Sequence, residues 1–173
     1  MRFMLSIAVT DTCFLINWLR FRRRDDIFRL YQTIAIPLLV LDELGTTRSR
    51  LAEWITSRRI IFIPRINIIE IEAIRVVELA KTRSLPLVDP PEAYCLCIAK
   101  YRGYDVLTDN RAIKYIVREV EEFRNVKVLD SLDLLVSLYG SSRETLKSRV
   151  LEFSSDTGIR FSQRRLREYE IEI

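Results

Sequence analysis

Short apolar segments alternate with helical patterns along most of the chain, and this alternation constrains the fold more than any other feature. Five segments have the length and apolar content of buried strands: 6–10, 34–36, 60–63, 105–108 and 126–129. The intervening and following segments predict helices over 14–19, 25–32, 38–57, 68–82, 92–102, 111–123 and 131–139. Strands that alternate with helices form a parallel sheet covered on both faces. The sequence therefore predicts an α/β fold with ligand chemistry at the carboxyl ends of its strands.

The C-terminal part follows a different pattern. The Gly-Ser-Ser sequence at 140–142 is typical of a linker, and two further helices are predicted, over 144–153 and from Ser162 onward. A chain of 173 residues has the size of one ordinary domain. We therefore expect one α/β domain over residues 1–140 and a short C-terminal helical appendage over residues 141–173.

The composition excludes several kinds of chemistry. The chain contains no histidine, which removes Ser-His-Asp triads, imidazole acid–base catalysis and histidine-ligated zinc. Its three cysteines, at 13, 95 and 97, form no C-x-x-C pair and argue against a disulfide framework. Hydrolysis by this chain must therefore depend on carboxylates, lysines or a metal ion.

The formal net charge is +4, and several arginines are clustered, at 20–24, 58–59 and 164–167. Such clusters suit contacts with phosphate groups. Solvated faces and helix ends explain any single cluster equally well. No apolar segment reaches transmembrane length, so no membrane association is predicted and we expect a soluble, cytoplasmic protein with a polyanionic partner.

Two aspartates, Asp11 and Asp109, each follow the end of a predicted strand. In a parallel sheet both carboxylates would lie over the same edge and could share a metal ion. An aspartate at a strand-to-helix junction is also a preferred helix N-cap, which is the ordinary explanation for either residue alone.

Two glutamates lie on helices that can reach the same edge. Glu43 is predicted inside the helix 38–57, at the margin of its apolar face, where a solvated glutamate is also common. Glu92 opens an apolar stripe at the start of the helix 92–102, although a glutamate in a first turn also complements the helix dipole. Four carboxylates without histidine describe an oxygen-ligand site suited to Mg²⁺ or Mn²⁺, which could activate a water for attack on a phosphodiester.

Three sequence segments resemble the motifs of PIN domains. They are V-T-D-T-C-F-L-I around Asp11, V-L-D-E-L around Glu43 and P-E-A-Y-C-L-C-I-A-K-Y-R-G-Y-D-V-L-T-D-N-R-A-I from Pro91. The resemblance covers residues 5 to about 135, and L-L-V-S-L-Y with T-G-I-R-F-S is similar to the tail of a less-studied PIN subfamily. The third segment is the most specific, since an acid, a small-residue helix, Gly103 and a strand precede Thr108-Asp109 without a gap.

The resemblance implies a Rossmann-like, three-layer α/β/α fold with a central parallel sheet, and a Mg²⁺- or Mn²⁺-dependent nuclease that cuts single-stranded or structured RNA. It implies that the catalytic and metal-binding carboxylates are Asp11, Glu43, Glu92 and Asp109. It further implies that the substrate contacts include Thr12, Thr108, Asn110 and Arg111. Many PIN domains resemble the toxin of VapBC-type toxin–antitoxin pairs, so a small antitoxin is an expected partner, and homodimerisation is expected as well.

The chain departs from the family pattern at two places. Asp109 is followed by Asn110 where the family often has two acids, and Asp89-Pro90-Pro91 precedes Glu92 where the subfamily reads Gly-Glu-Ala before its second glutamate. One alternative is therefore a PIN fold that binds nucleic acid or protein with little or no cleavage. A receiver-type signalling domain is a third possibility, but it requires a lysine after a late strand, and Lys127 lies at the start of its predicted strand.

Overall fold

A computed structural model describes residues 6–172. Within that range five strands form one parallel sheet in the order β3-β2-β1-β4-β5. The strands are β1 (Ile7–Thr10), β2 (Thr33–Pro37), β3 (Ile60–Ile63), β4 (Asp105–Leu107) and β5 (Val128–Leu129). The strand order reverses between β1 and β4, and the carboxyl ends beside such a reversal are where α/β proteins bind ligands. The predicted parallel α/β architecture is confirmed.

Helices cover the sheet and continue beyond it. Within the described range the α-helices are α1 (Thr12–Arg20), α2 (Leu38–Glu43), α3 (Ala52–Thr56), α4 (Asn67–Thr82), α5 (Pro90–Arg102), α6 (Arg111–Glu119), α7 (Ser131–Tyr139), α8 (Arg143–Thr157) and α9 (Gln163–Glu168). Three 3₁₀ helices lie at Arg24–Arg29, Gly45–Leu51 and Glu121–Phe123. No helix in this part of the chain combines the length and apolar character that crossing a membrane requires.

The predicted single helix over 38–57 is wrong. The chain forms α2, a 3₁₀ helix and α3 instead, because Gly45 takes a left-handed conformation with φ of 52° that ends the regular helix after Glu43. The single apolar face expected for 38–57 is therefore lost, and Trp54 is buried in α3. The break leaves Glu43 at the end of a short helix.

The predicted α-helix over 25–32 is a 3₁₀ helix that ends earlier, at Arg29. Ser6 explains the early end, because its hydroxyl donates to the Leu30 carbonyl at 2.7 Å and its carbonyl accepts from the Gln32 N–H at 3.0 Å. These bonds hold residues 30–32 beside the beginning of β1, and β2 starts at the next residue, Thr33.

The C-terminal helix α8 packs against α1. The rings of Trp18 and Phe21 lie 5.6 and 5.1 Å from the ring of Phe153, and all three side chains are buried. Arg22 adds a bidentate ion pair with Asp156, whose closest atoms are 2.6 Å apart. The segment after residue 140 therefore completes the apolar core around α1, and the division at residue 140 stays a prediction.

Candidate active site

Three of the four predicted acids line one cavity of about 260 Å³ at the carboxyl edge of the sheet. Asp11 follows β1, Glu43 is the last residue of α2, and Glu92 lies in the first turn of α5. The complete lining is Asp11, Thr12, Cys13, Glu43, Asp89, Pro90, Pro91 and Glu92. The cavity thus collects three of the predicted carboxylates from three separate elements, together with Asp89.

Asp11 is almost completely buried, with 1 % of its surface exposed. Its Oδ1 accepts the Phe14 N–H at 2.8 Å, which caps α1, and its Oδ2 accepts the Thr108 hydroxyl. Burial raises the pKa of Asp11 to about 7, the Thr108 and Phe14 hydrogen bonds oppose this shift, and the nearby carboxylates of Glu92 and Asp109 add to it. The N-cap role and the site position therefore belong to the same side chain.

Glu43 is exposed, but its carboxylate faces the site. Its Oε2 accepts the hydroxyl of Thr12, the residue that follows Asp11. The position of Glu43 at the site therefore does not come from the margin of a long helix, as the sequence predicted. The short α2, which ends at Gly45, directs Glu43 toward the start of α1.

Glu92 is held from two sides. It is 7 % exposed, and its Oε2 accepts the Asp89 N–H at 3.1 Å and the Asn110 side-chain amide at 2.7 Å. Pro90 and Pro91 open α5 without using a backbone donor, which suits a first turn. Asp89 takes the N-cap position of α5.

Asp109 does not line the cavity. Its carboxylate accepts the Ser131 N–H at 2.9 Å, the Ser131 hydroxyl at 3.0 Å and the Asn17 amide at 3.1 Å. Burial raises the pKa of Asp109, and these hydrogen bonds oppose the shift. Asp109 joins the end of β4 to α1 and α7, while its neighbour Asn110 contacts Glu92.

The predicted substrate-contacting residues divide into two groups. The hydroxyls of Thr12 and Thr108 hold Glu43 and Asp11, and Asn110 holds Glu92, so these three contact acids of the cavity. Arg111 does not, because its guanidinium donates to Ser162 at 3.2 Å and lines a separate cavity.

Two residues at the site had no place in the sequence-based prediction. Asn17 and Ser131 determine the direction of the Asp109 carboxylate. Asn17 is recognisable in retrospect as an amide inside an otherwise apolar helical segment. Ser131 lies 22 residues after Asp109, and no local pattern connects the two.

The donor set fits a hard divalent cation by its chemistry. The lining offers four carboxylates, those of Asp11, Glu43, Asp89 and Glu92, and the hydroxyl of Thr12, and oxygen is the ligand that Mg²⁺ and Mn²⁺ prefer. In Glu43 and Glu92 the hydrogen bonds involve Oε2, so Oε1 is the oxygen left for a ligand. Within residues 6–172 no three His, Cys, Asp or Glu side chains lie close enough together to hold a metal ion as placed. The oxygens of Asp11, Glu43 and Glu92 accept hydrogen bonds from hydroxyl and N–H donors instead.

One comparison with known proteins gives a match. The family model DUF3368, described as a PIN domain, matches residues 7–169. No curated protein matches the chain. The match includes β1 and all nine α-helices of the described range, and therefore also the C-terminal helices α8 and α9.

Proposed function

The chain belongs to the PIN domain family, whose fold is of the nuclease type, and we propose that it is a Mg²⁺- or Mn²⁺-dependent endoribonuclease that hydrolyses single-stranded RNA. The observation that carries the proposal is the meeting of Asp11, Glu43 and Glu92 around one cavity at the reversal of strand order. Asp11 and Glu92 are buried and repel each other, and buried like charges are favourable only with a cation or a proton to balance them.

In the proposed mechanism Asp11, Glu43 and Glu92 would hold the cation. When bound, such an ion lowers the pKa of a water and balances the charge that develops on the phosphate. The chain's own contribution is to fix the three acids: Thr108 and the Phe14 N–H orient Asp11, Thr12 orients Glu43, and Asn110 orients Glu92. Thr108 and Asn110 are linked in turn, because the Asn110 N–H donates to the Thr108 hydroxyl at 3.0 Å.

Water is the proposed nucleophile, and Cys13 is not. The Cys13 thiol lines the cavity, but burial raises its pKa, and the charges of Asp11 and Glu92 add to the shift. A thiol kept protonated is a poor nucleophile. The remaining titratable groups of the lining are carboxylates, which suit metal binding and proton transfer to or from water.

The direct test is cleavage of a fluorescently labelled single-stranded RNA by the wild type with Mn²⁺, Mg²⁺ or a chelator. We expect cleavage with either ion and none with chelator, and Asp11→Asn should abolish cleavage while it retains RNA. Asp42→Asn is the matched control, since Asp42 adjoins Glu43 but is exposed and does not line the acidic cavity. Cleavage that persists with chelator or in Asp11→Asn would contradict the proposal.

One observation favours a binding protein as the second candidate. The fourth acid, Asp109, accepts hydrogen bonds from Ser131 and Asn17 and does not line the cavity. A PIN fold with three cavity acids and little activity would bind RNA or a protein without cutting. RNA binding by a wild type that never cleaves with Mn²⁺ would support this candidate and exclude the nuclease.

We propose further that the partners are a small antitoxin and a second copy of the chain. An apolar groove of about 510 Å³ between α2, α4 and α5 shares Glu43, Pro90 and Pro91 with the acidic cavity. Beside it, Ile68, Ile71 and Ile74 of α4 are at least 60 % exposed, which suits a protein contact. A toxin role and a cytoplasmic location are part of the same proposal. Sedimentation that shows only monomers at high concentration would contradict the dimer.

A further inference from the structure

A cleft of about 250 Å³ lies between α6 and the C-terminal helix α9, outside the acidic cavity. Five basic side chains, one tyrosine and two acids line it: Arg111, Lys114, Arg118, Arg164, Arg165, Tyr115, Asp130 and Glu168. Nothing in the proposed cleavage chemistry uses these residues except Arg111, which was expected at the acidic cavity. The cleft therefore needs its own explanation.

The helical register of α6 accounts for the basic wall. Arg111, Lys114, Tyr115 and Arg118 recur at the i, i+3, i+4 and i+7 spacing that forms one face of a helix. The opposite face, with Ala112, Ile113 and Ile116, is buried. The family match extends over α9, so both walls of the cleft lie inside the matched region.

At the base of the cleft two cations pair with two carboxylates, and we call this group of four side chains the clamp. Lys114 and Arg165 both contact the carboxylates of Asp130 and Asp133, at 2.5 to 2.8 Å. The clamp joins α6, the start of α7 and α9. It fixes the geometry of the cleft without leaving a strong net charge at its base.

The rim of the cleft carries the cations that can meet a ligand. Arg111, Arg118 and Arg164 are all exposed, and Arg111 is bonded to the neutral hydroxyl of Ser162. Arg118 pairs through Nε with Glu119 and lies 4.9 Å over the ring of Tyr115, which is 41 % exposed. Arg164 takes part in none of the ion pairs found among residues 6–172. An exposed arginine stacked on an exposed tyrosine is a surface that can hold both a phosphate and a base.

Neighbouring residues of the chain connect the acidic cavity to the cleft. Asn110 donates to Glu92 at the cavity, and the next residue, Arg111, starts α6 and lines the cleft. From Arg111 to Arg118 the basic face extends about 10 Å along the helix axis. A strand with one phosphodiester at the acids can therefore continue directly onto α6.

We propose that this cleft binds the sugar–phosphate backbone of the RNA strand that enters the acidic cavity, with Tyr115 as the stacking platform for one base. The inference rests on the proposed function and specifies how its substrate is held. An acidic peptide is the other polyanion that could meet the arginines, but it has no use for an exposed aromatic ring at the centre of the basic face.

The test measures binding of a fluorescein-labelled single-stranded RNA by anisotropy in chelator, so that cleavage plays no part. The double variant Arg118→Gln/Arg164→Gln should bind roughly tenfold more weakly than the wild type, and its plot of log affinity against log salt should be flatter by about 1.4 for two lost phosphate contacts. The control is Arg83→Gln/Arg102→Gln, which removes two exposed arginines at the ends of α4 and α5. The control should bind as the wild type does.

Three results would overturn the proposal: no RNA binding by the wild type, equal losses in the two double variants, or displacement of the RNA by polyglutamate at equal charge concentration. Tyr115→Leu provides a second readout that is independent of charge, because it should weaken binding of intact RNA while an abasic strand binds the variant and the wild type equally. Weakened binding in Arg118→Gln/Arg164→Gln without any cleavage by the wild type would leave the cleft assignment standing and remove only the nuclease.

Discussion

Two groups of carboxylates lie at the carboxyl edge of this sheet, and they differ in what balances their charge. Asp11, Glu43 and Glu92 meet hydroxyl, amide and backbone N–H donors. Asp130 and Asp133, which begin α7, meet the cations of Lys114 and Arg165. The first group therefore needs a positive charge that these contacts do not supply. The second group has the positive charges of Lys114 and Arg165.

One acid from each group has a shifted pKa, and the two shifts have opposite directions. The pKa of Asp11 is raised to about 7 because burial outweighs its hydrogen bonds. Burial acts on Asp133 as well, but hydrogen bonds from the Asp130 N–H, Lys114 and Tyr169 outweigh it and hold the pKa of Asp133 far below its usual value of 3.8. An acid cluster with built-in cations stabilises the fold, whereas a cluster without them is suited to binding an external cation.

The largest expected effect is on catalysis. Glu43→Gln and Glu92→Gln each remove one negative ligand at nearly constant size, and each should lower the rate of RNA cleavage with Mn²⁺ by about 10²–10³-fold. Asp133→Asn, from the balanced cluster, should cleave at a rate close to that of the wild type at a temperature where it is folded. Single-turnover kinetics with melting curves for every variant separate the two groups. Similar losses of cleavage rate in all three variants would contradict the distinction between the two groups of carboxylates.

The next effect is on stability and concerns the clamp. Asp133→Asn removes one of the two carboxylates that Lys114 and Arg165 share, and it should lower the free energy of unfolding at pH 7 by about 2 kcal/mol, reduced from the value for a buried pair because both cations are partly exposed. Urea denaturation measures this difference.

The pH dependence of that difference has a definite sign. Because folding lowers the pKa of Asp133, its contribution is complete above about pH 4 and disappears as the pH falls through the lower folded-state value. The wild type and Asp133→Asn should therefore converge in stability in acid. A gap that stays constant down to the acid unfolding transition would show that the clamp does not act through the charge of Asp133.

The smallest effect has the opposite direction. With chelator present, Asp11→Asn should raise the free energy of unfolding by about 1 kcal/mol, because it removes a desolvated charge that Glu92 repels. The gain is limited because an amide forms weaker hydrogen bonds with Thr108 and the Phe14 N–H. Since folding raises the pKa of Asp11, the gain should grow between about pH 4 and pH 7 and then level off. Destabilisation at every pH would mean that Asp11 acts mainly as a helix cap.

The sequence predicts the parts of this account that local patterns encode. The five strands follow from apolar segment length, and the positions of Asp11 and Glu92 follow from strand-to-helix junctions and the first turn of α5. The direction of Asp109 could not be predicted, because it depends on Ser131, and the place of Arg111 depends on Ser162. Ser131 approaches Asp109, and Ser162 approaches Arg111, only when the sheet and the C-terminal helices are assembled. The break after Glu43 follows from the left-handed conformation of Gly45, which a helical wheel ignores.

The most direct test of the central claim is a calorimetric titration of the wild type with Mn²⁺. We expect binding that is lost or weakened about 10–100-fold in Asp11→Asn, Glu43→Gln and Glu92→Gln and unchanged in Asp42→Asn and, where it is folded, Asp133→Asn. No binding by the wild type, or equal affinity in Asp11→Asn and the wild type, would contradict the claim that these three acids form a cation site.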